Sequence, residues 1–560
     1  MRPAASHPFK SPAVQAPSTP PPSTVSAPLG AGSTLACDVL VVGGGINGAG
    51  IARDLAGRGL SVVMCEKDDL ASHTSSSSTK LIHGGLRYLE YYEFALVRKA
   101  LAERELLMRS APHIMWPLRF VMPHDPSMRP VWMVRAGLFL YDHLAKREVL
   151  PASTTVDLRR HVAGTPLKKQ YTKGFVYSDG WVDDARLVVL NALDAVAHGA
   201  TVMTRTACTD ARRSASGWQA TLLAANGTRH AVTARALVNA AGPWAAQFLA
   251  EHAHVPDAKS LRLVKGSHIV VPRMFAHDHA YIFQNPDKRI IFAIPYEVDY
   301  TLIGTTDVEH RGAIGTACID PEETAYLCAQ ANRYFERAVT PADVVWSYSG
   351  VRPLLDDESG DPSAVTRDYA LELDTGDAAA QGSTGSMAPL LNVWGGKITT
   401  FRKLAEEAAD LLAKSLSTPR GAWTEHAFLP GGDLSASIGP AQKPDLDFAR
   451  FVKAASLAHP QVALPLVQRL ARAYGSRALP LLRESFGAEV APGLFEAELN
   501  FLRREEWACS ADDVLWRRSK LGLHYTPAQR AAVADWCAHH WADAAAPGQP
   551  AAIHQETAWN

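Results

Sequence analysis

Three glycines near the start of the chain have a spacing suited to binding the pyrophosphate of a dinucleotide. Gly43, Gly45 and Gly48 are spaced as G-x-G-x-x-G. The first allows a tight turn, the second lets the backbone approach the phosphates, and the third lets the next helix pack closely on the strand. Glu66 lies 18 residues beyond Gly48, where a carboxylate binds ribose hydroxyls. These residues predict a dinucleotide site.

The elements that must position these residues are visible in the same stretch. The apolar run 37–42 predicts a strand, and the amphipathic segment after Gly48 predicts a helix. A second apolar run, 60–65, predicts a strand that ends at Glu66. A pyrophosphate would lie at the helix N-terminus, where free N–H groups and the helix dipole favour an anion. A glycine-rich turn in another kind of α/β unit is the alternative.

Composition narrows the class of protein. A length of 560 residues predicts two or three domains. A hydrophobic content of 47% and a charged content of 20% are typical of a globular protein. The net charge of -1 gives no electrostatic argument for binding nucleic acid. The seven cysteines include no C-x-x-C pair, so we expect reduced thiols, a cytoplasmic setting and no metal site.

Two segments bear on targeting and membranes. Residues 1–34 are rich in Pro, Ser and Ala and lack the apolar centre of a secretory signal, so they predict a disordered arm. The sequence contains no run of about eighteen apolar residues, so we expect no membrane-spanning helix. Residues 116–147 mix aromatic, apolar and cationic side chains, a composition that could lie on an anionic bilayer. Core packing with solvated arginines is the alternative.

Two more turns of small residues follow apolar runs, at 240–244 and 395–400. Three such turns predict a large cofactor that several segments contact, which fits FAD better than NAD. The hydroxyl-rich run 74–79 is either a flexible loop or a set of phosphate donors. Residues 261–306 alternate as strands of an antiparallel sheet. Residues 430–444 predict a linker, and helical periodicity dominates the chain beyond it.

Eight motifs together carry a family resemblance over residues 36–540. The chain resembles the FAD-dependent (respiratory, aerobic) glycerol-3-phosphate dehydrogenase family in Gly43–Ile51, Ser77–Glu90, Trp181–Leu187, Lys265–Ile269, Ile303–Asp307, Tyr348–Pro353, Thr366–Tyr369 and Gly395–Thr400. It departs at Ala241, where the family often has threonine. Eight motifs in order are far more specific than any one of them.

The resemblance implies an α/β fold, with a glutathione-reductase-like FAD-binding Rossmann domain, an antiparallel-sheet substrate domain and a C-terminal helical domain. It divides the chain into a disordered arm (1–34), a discontinuous FAD-binding domain (35–420), a C-terminal helical domain (421–545) and a tail (546–560). The substrate-capping sheet domain is expected as an insertion in the FAD-binding domain, at about 96–180 and 260–345.

The resemblance also implies a reaction and partners. We expect oxidation of sn-glycerol 3-phosphate to dihydroxyacetone phosphate by hydride transfer to FAD, with electrons passed to ubiquinone in the respiratory chain. We expect a homodimer at the cytoplasmic face of the bacterial inner membrane, held peripherally, or in the cytoplasm if the membrane contact is weak. No nucleic acid partner is expected.

The implied chemistry selects candidate site residues. The alcohol must lose a hydroxyl proton, and His83 is the first candidate for its acceptor because imidazole titrates near neutral pH. His268 is the second candidate, and Arg352 could polarise the hydroxyl. The dianionic phosphate needs fixed cations and donors. Side chains expected to bind it are those of Arg87, Tyr88, Arg367, Lys397 and Thr400.

The resemblance also assigns residues to the cofactor. The helix start at Gly396, Lys397, Ile398 and Thr399 is expected to face the flavin pyrimidine, where its N-terminus would stabilise negative charge on the reduced ring. Glu66 is expected at the adenosine ribose. The other residues expected at FAD are Gly43, Gly45, Ile46, Asn47, Gly48, Ser76, Ser77, Thr79 and Gly242.

Several alternatives keep the same cofactor. A glycerol-3-phosphate oxidase would pass electrons to oxygen and make hydrogen peroxide. An amine or amino-acid oxidase of the same fold would need only a carboxylate clamp, and three or four cations exceed that need. Each arginine taken alone could instead form a surface ion pair. A flavin-binding sensor without turnover is the alternative outside enzymes, and Arg87, Arg352 and Lys397 argue against it.

Overall fold

The structure is a computed structural model that describes residues 34–125, 129–255, 261–287, 289–355, 368–376, 386–418 and 420–541. The predicted arm, apart from Thr34, and the predicted tail lie outside the described residues. Arg367, one of the predicted phosphate-binding residues, also lies outside them.

Most of the strands lie in the first 400 residues, and a short two-stranded hairpin follows near the end of the chain. In chain order they are β1 (Thr34–Val42), β2 (Val62–Cys65), β3 (Leu81–Ile82), β4 (Met115–Pro123), β5 (Thr154–Asp157), β6 (Lys173–Val182), β7 (Thr201–Met203), β8 (Thr206–Ser214), β9 (Gly217–Ala224), β10 (Arg229–Asn239), β11 (Leu261–Pro272), β12 (Ala280–Gln284), β13 (Ile290–Tyr296), β14 (Tyr300–Gly304), β15 (Val308–Glu309), β16 (Trp346–Leu355), β17 (Ala370–Asp374), β18 (Leu390–Trp394), β19 (Glu489–Ala491) and β20 (Leu494–Phe495).

Helices alternate with the strands and then dominate the C-terminal part. They are α1 (Ile46–Gly57), α2 (Phe94–Ser110), α3 (Val131–His143), α4 (Asp184–Ala197), α5 (Ala245–Glu251), α6 (Pro321–Tyr334), α7 (Phe401–Leu416), α8 (Ser435–Ile438), α9 (Pro444–Ala458), α10 (Leu464–Tyr474), α11 (Ala478–Arg483), α12 (Glu496–Glu505) and α13 (Pro527–His540). A π-helix, Asp513–Arg518, lies between α12 and α13.

The first sheet is the parallel layer that the glycine turn predicts. Its order is β17-β18-β10-β1-β2-β7, with β8 and β9 continuing from β10. Strands β1, β2, β7, β10 and β18 run parallel, while β17 and β9 are antiparallel to their neighbours. Helices α1, α4 and α7 bury apolar side chains against one face, and α5 covers the other. This layer places the ends of β1, β10 and β18 at one edge.

The second sheet is mainly antiparallel and has the order β15-β11-β14-β13-β12-β4-β6-β3, with β16 beside β11 and β5 beside β6. Its β4 and β12 pair in parallel, a pairing that the alternation of residues 261–306 did not predict. The sheet also starts earlier and ends later than expected, from Leu81 to Leu355. Helix α6 packs on one face, and α2 and α3 pack on the other.

The start of one helix, α4, coincides with a capping residue in the sequence. Helix α4 begins after Asp183, whose side chain accepts a hydrogen bond from the Arg186 N–H at 3.2 Å. Within the region 261–306 that was expected to alternate as strands, the first strand, β11, runs unbroken from Leu261 to Pro272, because its residues stay paired with β16. The predicted helix from Thr399 begins at Phe401, after a 3-10 turn over Ile398–Thr400.

The C-terminal part, from about residue 421, has its own apolar core built from α9 to α13 and the π-helix. In the described residues no helix is long and apolar enough to cross a bilayer. All seven cysteines are described, and none of them forms a disulfide. The described residues also include no group of His, Cys, Asp and Glu side chains able to hold a metal ion.

Candidate active site

The glycine turn between β1 and α1 is tight enough to require glycine at two positions. Gly43 has a φ of +110°, and a Cβ there would lie 2.4 Å from the carbonyl oxygen of Ala240. A Cβ on Gly48 would lie 1.9 Å from the carbonyl oxygen of Gly43. The turn therefore fits against β10, and the N-terminus of α1 is open to an anion.

Glu66 closes the same turn from the end of β2. Its carboxylate accepts hydrogen bonds from the Gly44 N–H at 2.7 Å and from the Asp68 N–H at 2.9 Å. Burial raises the pKa of Glu66, and these two N–H groups oppose the shift. Glu66 lies at the wall of a cavity, and its place at the adenosine ribose stays a prediction.

A cavity of about 350 Å³ runs along this edge of the first sheet. Its lining includes the glycine turn, the loop after Glu66, the turn at 240–244 and the turn at 395–396. The predicted cofactor residues among its lining are Gly43, Gly45, Ile46, Asn47, Glu66, Gly242 and Gly396. Gly48 lies behind the turn, against Gly43.

The residues of this cavity fit a dinucleotide. The glycines leave space that a Cβ would fill, and the helix N-terminus supplies N–H donors. The Asn47 amide donates to the carbonyl of Gly395 at 3.0 Å, while its buried Oδ1 has no partner among the described residues. A buried acceptor without a partner is costly unless a ligand satisfies it. Asn47 therefore links the first turn to the third and has one atom left for the cofactor.

The hydroxyl run contributes different residues from those expected. Ser75, which the sequence did not single out, lines the cavity and accepts from the Ile46 N–H at 3.0 Å. Ser76 and Ser77 donate to the carbonyl oxygen of His73 at 3.2 Å each. Thr79 lies further along, within 2.9 Å of His268 Nε2. Local sequence shows that hydroxyls are present but not which of them faces the phosphates.

The cavity has an aromatic wall, Trp244, that the sequence did not predict as a binding feature. The Lys67 ammonium lies 3.9 Å above the centre of the Trp244 ring. His73 packs on Trp244 with ring centres 4.6 Å apart, and its Nε2 lies 2.7 Å from Asp68. The His73 interaction is the main cause that lowers the pKa of Asp68. Trp244 could have been found, because it ends the predicted turn at 240–244.

The turn at 395–400 brings the second group of predicted residues together. The His83 N–H donates to the Thr399 hydroxyl at 3.2 Å. The Lys397 ammonium lies 3.6 Å above the centre of the Tyr88 ring. Thr400 is buried, and its hydroxyl donates to the carbonyl of Lys397 at 3.4 Å. Ile398 lies within the 3-10 turn. The loop carrying His83 and Tyr88 therefore lies against the start of α7.

Arg352 lies on β16 and His268 lies on β11, and these two strands pair with each other. Arg352 forms an ion pair with Asp307 and donates to the Thr305 hydroxyl at 3.0 Å. Small residues make room for both side chains: a Cβ on Gly266 would lie 2.3 Å from Arg352 Nη2, and one on Gly304 would lie 2.1 Å from His268 Cδ2. Arg87 lies apart from this pair, with its Nη2 3.4 Å from the Tyr91 hydroxyl.

The surroundings of His268 favour a neutral imidazole. It is fully buried, its ring stacks on Tyr348 with centres 4.8 Å apart, and its Nδ1 has no partner among the described residues. Burial, then the charges of Arg352 and Lys80, lower the pKa of His268 well below its ordinary value. Such a group donates or accepts a hydrogen bond but takes up a proton reluctantly.

Comparisons with known proteins agree with this geometry. Residues 38–400 match a family model described as FAD dependent oxidoreductase, and residues 422–542 match the C-terminal domain of alpha-glycerophosphate oxidase. A glycerol-3-phosphate dehydrogenase of Pseudomonas aeruginosa is 51% identical over 500 residues, 88% of this chain and 93% of the relative. A D-erythritol 1-phosphate dehydrogenase of Brucella abortus is 50% identical over 506 residues, 89% of this chain and 97% of the relative.

A solved structure extends the match to the whole fold. The glycerol-3-phosphate dehydrogenase from Bacillus halodurans, solved in complex with FAD, aligns with a TM-score of 0.71 and 28% sequence identity. The alignment covers 90% of this chain and 91% of that one.

The parallel sheet with its glycine turn, and the second sheet beside the turn at 395–400, define the class of flavin-dependent oxidoreductases. Within that class, the chain belongs to the family of FAD-dependent glycerol-3-phosphate dehydrogenases. Its cofactor is FAD, and the fold class, the family and the cofactor expected from the sequence are confirmed.

Proposed function

We propose that this chain oxidises sn-glycerol 3-phosphate to dihydroxyacetone phosphate. The observation that carries the proposal is the convergence of cations and histidines beside the turn at 395–400. A Cβ on Gly395 would lie 3.5 Å from the carbonyl oxygen of Pro353, the residue after Arg352. Lys397 lies two residues after Gly395. The name of the P. aeruginosa relative supports the same substrate.

Each group near this turn has a proposed task. Bound FAD supplies the hydride acceptor. Arg352 and Lys397 bind the phosphate or polarise the hydroxyl, because a guanidinium forms paired hydrogen bonds to oxyanions and an ammonium acts as a point charge. Arg87, Thr400 and Arg367 remain proposed phosphate donors, and the Tyr88 ring is proposed to position the Lys397 ammonium. Asp307 holds the Arg352 guanidinium in one orientation.

We propose His83, and not His268, as the acceptor of the hydroxyl proton. The lowered pKa of the buried His268 imidazole makes it the weaker base. His83 is half-buried between β3 and two glycines, and Thr399 fixes its backbone. His268 then serves as a neutral hydrogen-bonding group held by Thr79.

Flavin bleaching tests this proposal directly. Anaerobic addition of glycerol 3-phosphate should bleach the yellow colour of the purified protein, while glycerol, which lacks the phosphate, should not. A dye-reduction assay and a peroxide assay, run together in air, separate the two acceptor classes. We propose ubiquinone as the acceptor, so dye reduction should exceed peroxide formation. Bleaching with glycerol alone would contradict a phosphate-binding site, and a peroxide yield equal to turnover would show an oxidase.

A second substrate has a specific observation in its favour. The B. abortus relative is named a D-erythritol 1-phosphate dehydrogenase and is 50% identical, against 51% for the P. aeruginosa relative. Both substrates are polyol phosphates with a secondary alcohol, so the same cations and base serve either. The ratio of kcat/KM for the two compounds decides between them. A higher value for the four-carbon compound would replace glycerol 3-phosphate as the substrate.

We propose peripheral attachment to the cytoplasmic face of the bacterial inner membrane through α3. This helix exposes Trp132 and Phe139, at 69% and 57% of their surface, with Met133 and Leu140 beside them. Residues 129–147 carry four cations, Arg129, Arg135, Lys146 and Arg147, and one acid, Asp142. An exposed apolar helix face with basic flanks fits an anionic lipid surface.

Vesicle sedimentation tests the attachment. The protein should sediment with vesicles containing anionic phospholipid and less with purely zwitterionic vesicles. Replacing Phe139 and Leu140 together by Ser should abolish sedimentation. The control Leu457→Ser changes a more exposed apolar residue, 73% accessible, on α9. Equal loss in the control, or sedimentation of the double variant, would contradict a docking role for α3.

We also propose that the protein is a homodimer, as the family resemblance implies. Light scattering coupled to size-exclusion chromatography measures its mass directly. A mass near twice 60.5 kDa is expected, and a mass near 60.5 kDa at all concentrations tested would reject the dimer.

A further inference from the structure

One π-helical turn of the C-terminal domain contacts both ends of the candidate active site. The turn is Asp513–Arg518, and the Ser519 N–H donates to the carbonyl of Val514 at 2.9 Å, the i→i+5 bond of a π-helix. Such turns are rare and often occur at functional sites. Its side chains reach the cofactor-binding loop on one side and the second sheet on the other.

The first contact is a buried fork between Arg518 and Asp69. The two terminal nitrogens of Arg518 lie 2.6 and 2.7 Å from the two carboxylate oxygens of Asp69, and both residues are almost fully buried. The Arg517 Nε adds a third donor at 2.6 Å. The attraction of Asp69 raises the pKa of Arg518 against the effect of burial.

Asp69 belongs to the loop that lines the FAD cavity. It lies three residues after Glu66, and its carbonyl oxygen accepts from the Ser72 hydroxyl at 2.8 Å. Ser72 and the residues after it, up to Ser75, line the cavity. The Arg205 N–H holds the same loop by donating to the Asp68 carbonyl at 2.8 Å. Fixing Asp69 therefore fixes the position of the loop against the cofactor.

Arg205 also joins this loop to the π-helical turn. Its Nη2 lies 2.6 Å from Asp513, the first residue of the turn. The charges of Arg205, Arg517 and Arg518 lower the pKa of Asp513, so the carboxylate stays ionised despite burial. The cluster therefore pairs three arginines with the two buried carboxylates of Asp69 and Asp513, and opposite charges that pair offset the cost of burying them. Arg205 Nη1 lies 3.8 Å from Asp69 and has no hydrogen-bond partner among the described residues.

The second contact is a row of touching aromatic rings that ends at His268. Trp516 stacks on Trp346 with ring centres 4.9 Å apart and 22° between the planes. Trp346 contacts Tyr348 at 5.0 Å, and Tyr348 stacks on His268 at 4.8 Å. Gly522 packs on the Trp516 ring, because a Cβ on Gly522 would lie 2.7 Å from it.

We propose that Arg518 and Trp516 are positioning residues for the two ends of the active site. Arg518 holds the cofactor loop through Asp69, and Trp516 sets the ring plane of His268 through Trp346 and Tyr348. The first role concerns FAD affinity and the second concerns turnover, and only the second rests on the proposed function.

FAD affinity tests the role of Arg518 without any substrate. Arg518→Lys keeps the charge and loses the fork, and should raise the Kd for FAD about tenfold, measured by reconstitution of the stripped protein. The matched control is Arg469→Lys. Arg469 also forks a buried carboxylate, Glu498, at 2.7 and 2.6 Å, but within the C-terminal domain. Arg469→Lys should lower Tm by about as much as Arg518→Lys does, and should leave the Kd for FAD within twofold of the wild-type value.

A milder variant covers the case in which Arg518→Lys does not fold. Arg517→Gln removes one donor to Asp69 at a partly accessible position, and should raise the Kd for FAD by about threefold. An unchanged Kd in a folded Arg518 or Arg517 variant would overturn the proposal. An equal rise of the Kd for FAD in Arg469→Lys would also overturn the proposal. Loosening the C-terminal domain in general would then be sufficient to weaken FAD binding.

Turnover with saturating FAD tests the role of Trp516. Trp516→Leu should lower kcat about tenfold, while Trp516→Phe, which keeps a stacking ring, should restore most of it. The control Trp536→Leu removes a ring that stacks on His540 in the same domain and should leave kcat unchanged. Adding Trp516→Leu to His268→Asn should lower kcat no further, because the two residues act through one path.

Additive losses in that double variant, or loss of FAD affinity with unchanged kcat in Trp516→Leu, would overturn the second role. If the wild-type protein did not turn over either polyol phosphate, the proposed function would fail. The Kd measurements for FAD would then still decide the role of Arg518.

Discussion

Gly48 lies so close to Gly43 that a Cβ on Gly48 would be 1.9 Å from the Gly43 carbonyl oxygen. The first and last glycines of the turn therefore touch each other, and α1 leaves β1 at the distance that this contact sets. No rotamer change relieves such a clash, because the neighbouring atom is backbone. The spacing of the two glycines is a packing requirement as well as a binding motif.

Gly48→Ala should therefore destabilise the fold and release FAD, because helix α1 must move away from β1. We expect a loss of roughly 2 kcal/mol or more in the free energy of unfolding, as for other overpacked sites. Gly137→Ala is the matched control: Gly137 is also helical, in α3, and its added Cβ meets nothing within 4 Å. It should stabilise by about 0.5–1 kcal/mol. Thermal unfolding and flavin content measure both effects.

The local part of the site is predictable from sequence, and the long-range part is not. The glycine turn and Glu66 lie within one βαβ unit, so spacing alone places them correctly. Ser75 could not be chosen over Ser76 and Ser77, because the choice depends on which hydroxyl meets the Ile46 N–H. Asp69 and Arg518 are 449 residues apart, and no periodicity connects them.

The surroundings of the cationic side chains were also not predictable from local sequence. The resemblance selects Arg352 and Lys397, but the partners that orient them, Asp307 and Tyr88, follow only from the paired strands and the turn. Thr400 illustrates the opposite case: a predicted hydroxyl donor whose hydroxyl is buried against the Lys397 carbonyl. Its role at the substrate phosphate stays a prediction.

His113 should make stability depend on pH in a defined window. It is fully buried, neither ring nitrogen has a partner among the described residues, and burial with nearby arginines lowers its pKa well below 6.5. The unfolded chain therefore binds the proton more readily, so stability is present above about pH 6.5 and falls as the pH drops below it. The loss is about 1.4 kcal/mol per pH unit for each such proton.

His113→Leu should remove this contribution. Urea unfolding at pH 7, 6 and 5 should show a shallower loss of stability in the variant than in the wild type. The control His539→Leu removes an exposed imidazole at the end of α13 and should keep the wild-type slope. An unchanged slope in His113→Leu would mean that His113 is protonated in the folded protein.

Arg352→Ala should lower kcat/KM for glycerol 3-phosphate roughly 100-fold and leave a yellow, flavin-loaded protein. The expected loss corresponds to one charged group that binds the substrate. Arg311→Ala, at a surface arginine that pairs with Glu309, is the control and should behave as wild type. Steady-state kinetics and flavin content distinguish the outcomes. Colourless Arg352→Ala protein would mean that this residue holds the fold or the cofactor.

The pH profile of kcat/KM should separate the two histidines. His83→Asn should lower the rate by about 10²–10⁴ and flatten the acid limb, because the proton acceptor is lost. His268→Asn should lower the rate less and keep the limb, because a buried neutral imidazole does not titrate in that range. If the acid limb vanished in His268→Asn instead, the assignment of the base would have to be reversed.

Tyr88 should act on the substrate through its ring and not through its hydroxyl. The Lys397 ammonium lies 3.6 Å above the ring centre, a geometry in which a cation–π contact contributes about 0.5–2 kcal/mol. Tyr88→Leu removes the cation–π contact with the Lys397 ammonium and should raise KM for glycerol 3-phosphate about three- to tenfold. Tyr88→Phe keeps the ring, so its KM should stay within twofold of wild type. If Tyr88→Phe matched Tyr88→Leu, the hydroxyl itself would be the phosphate donor, as the sequence first suggested.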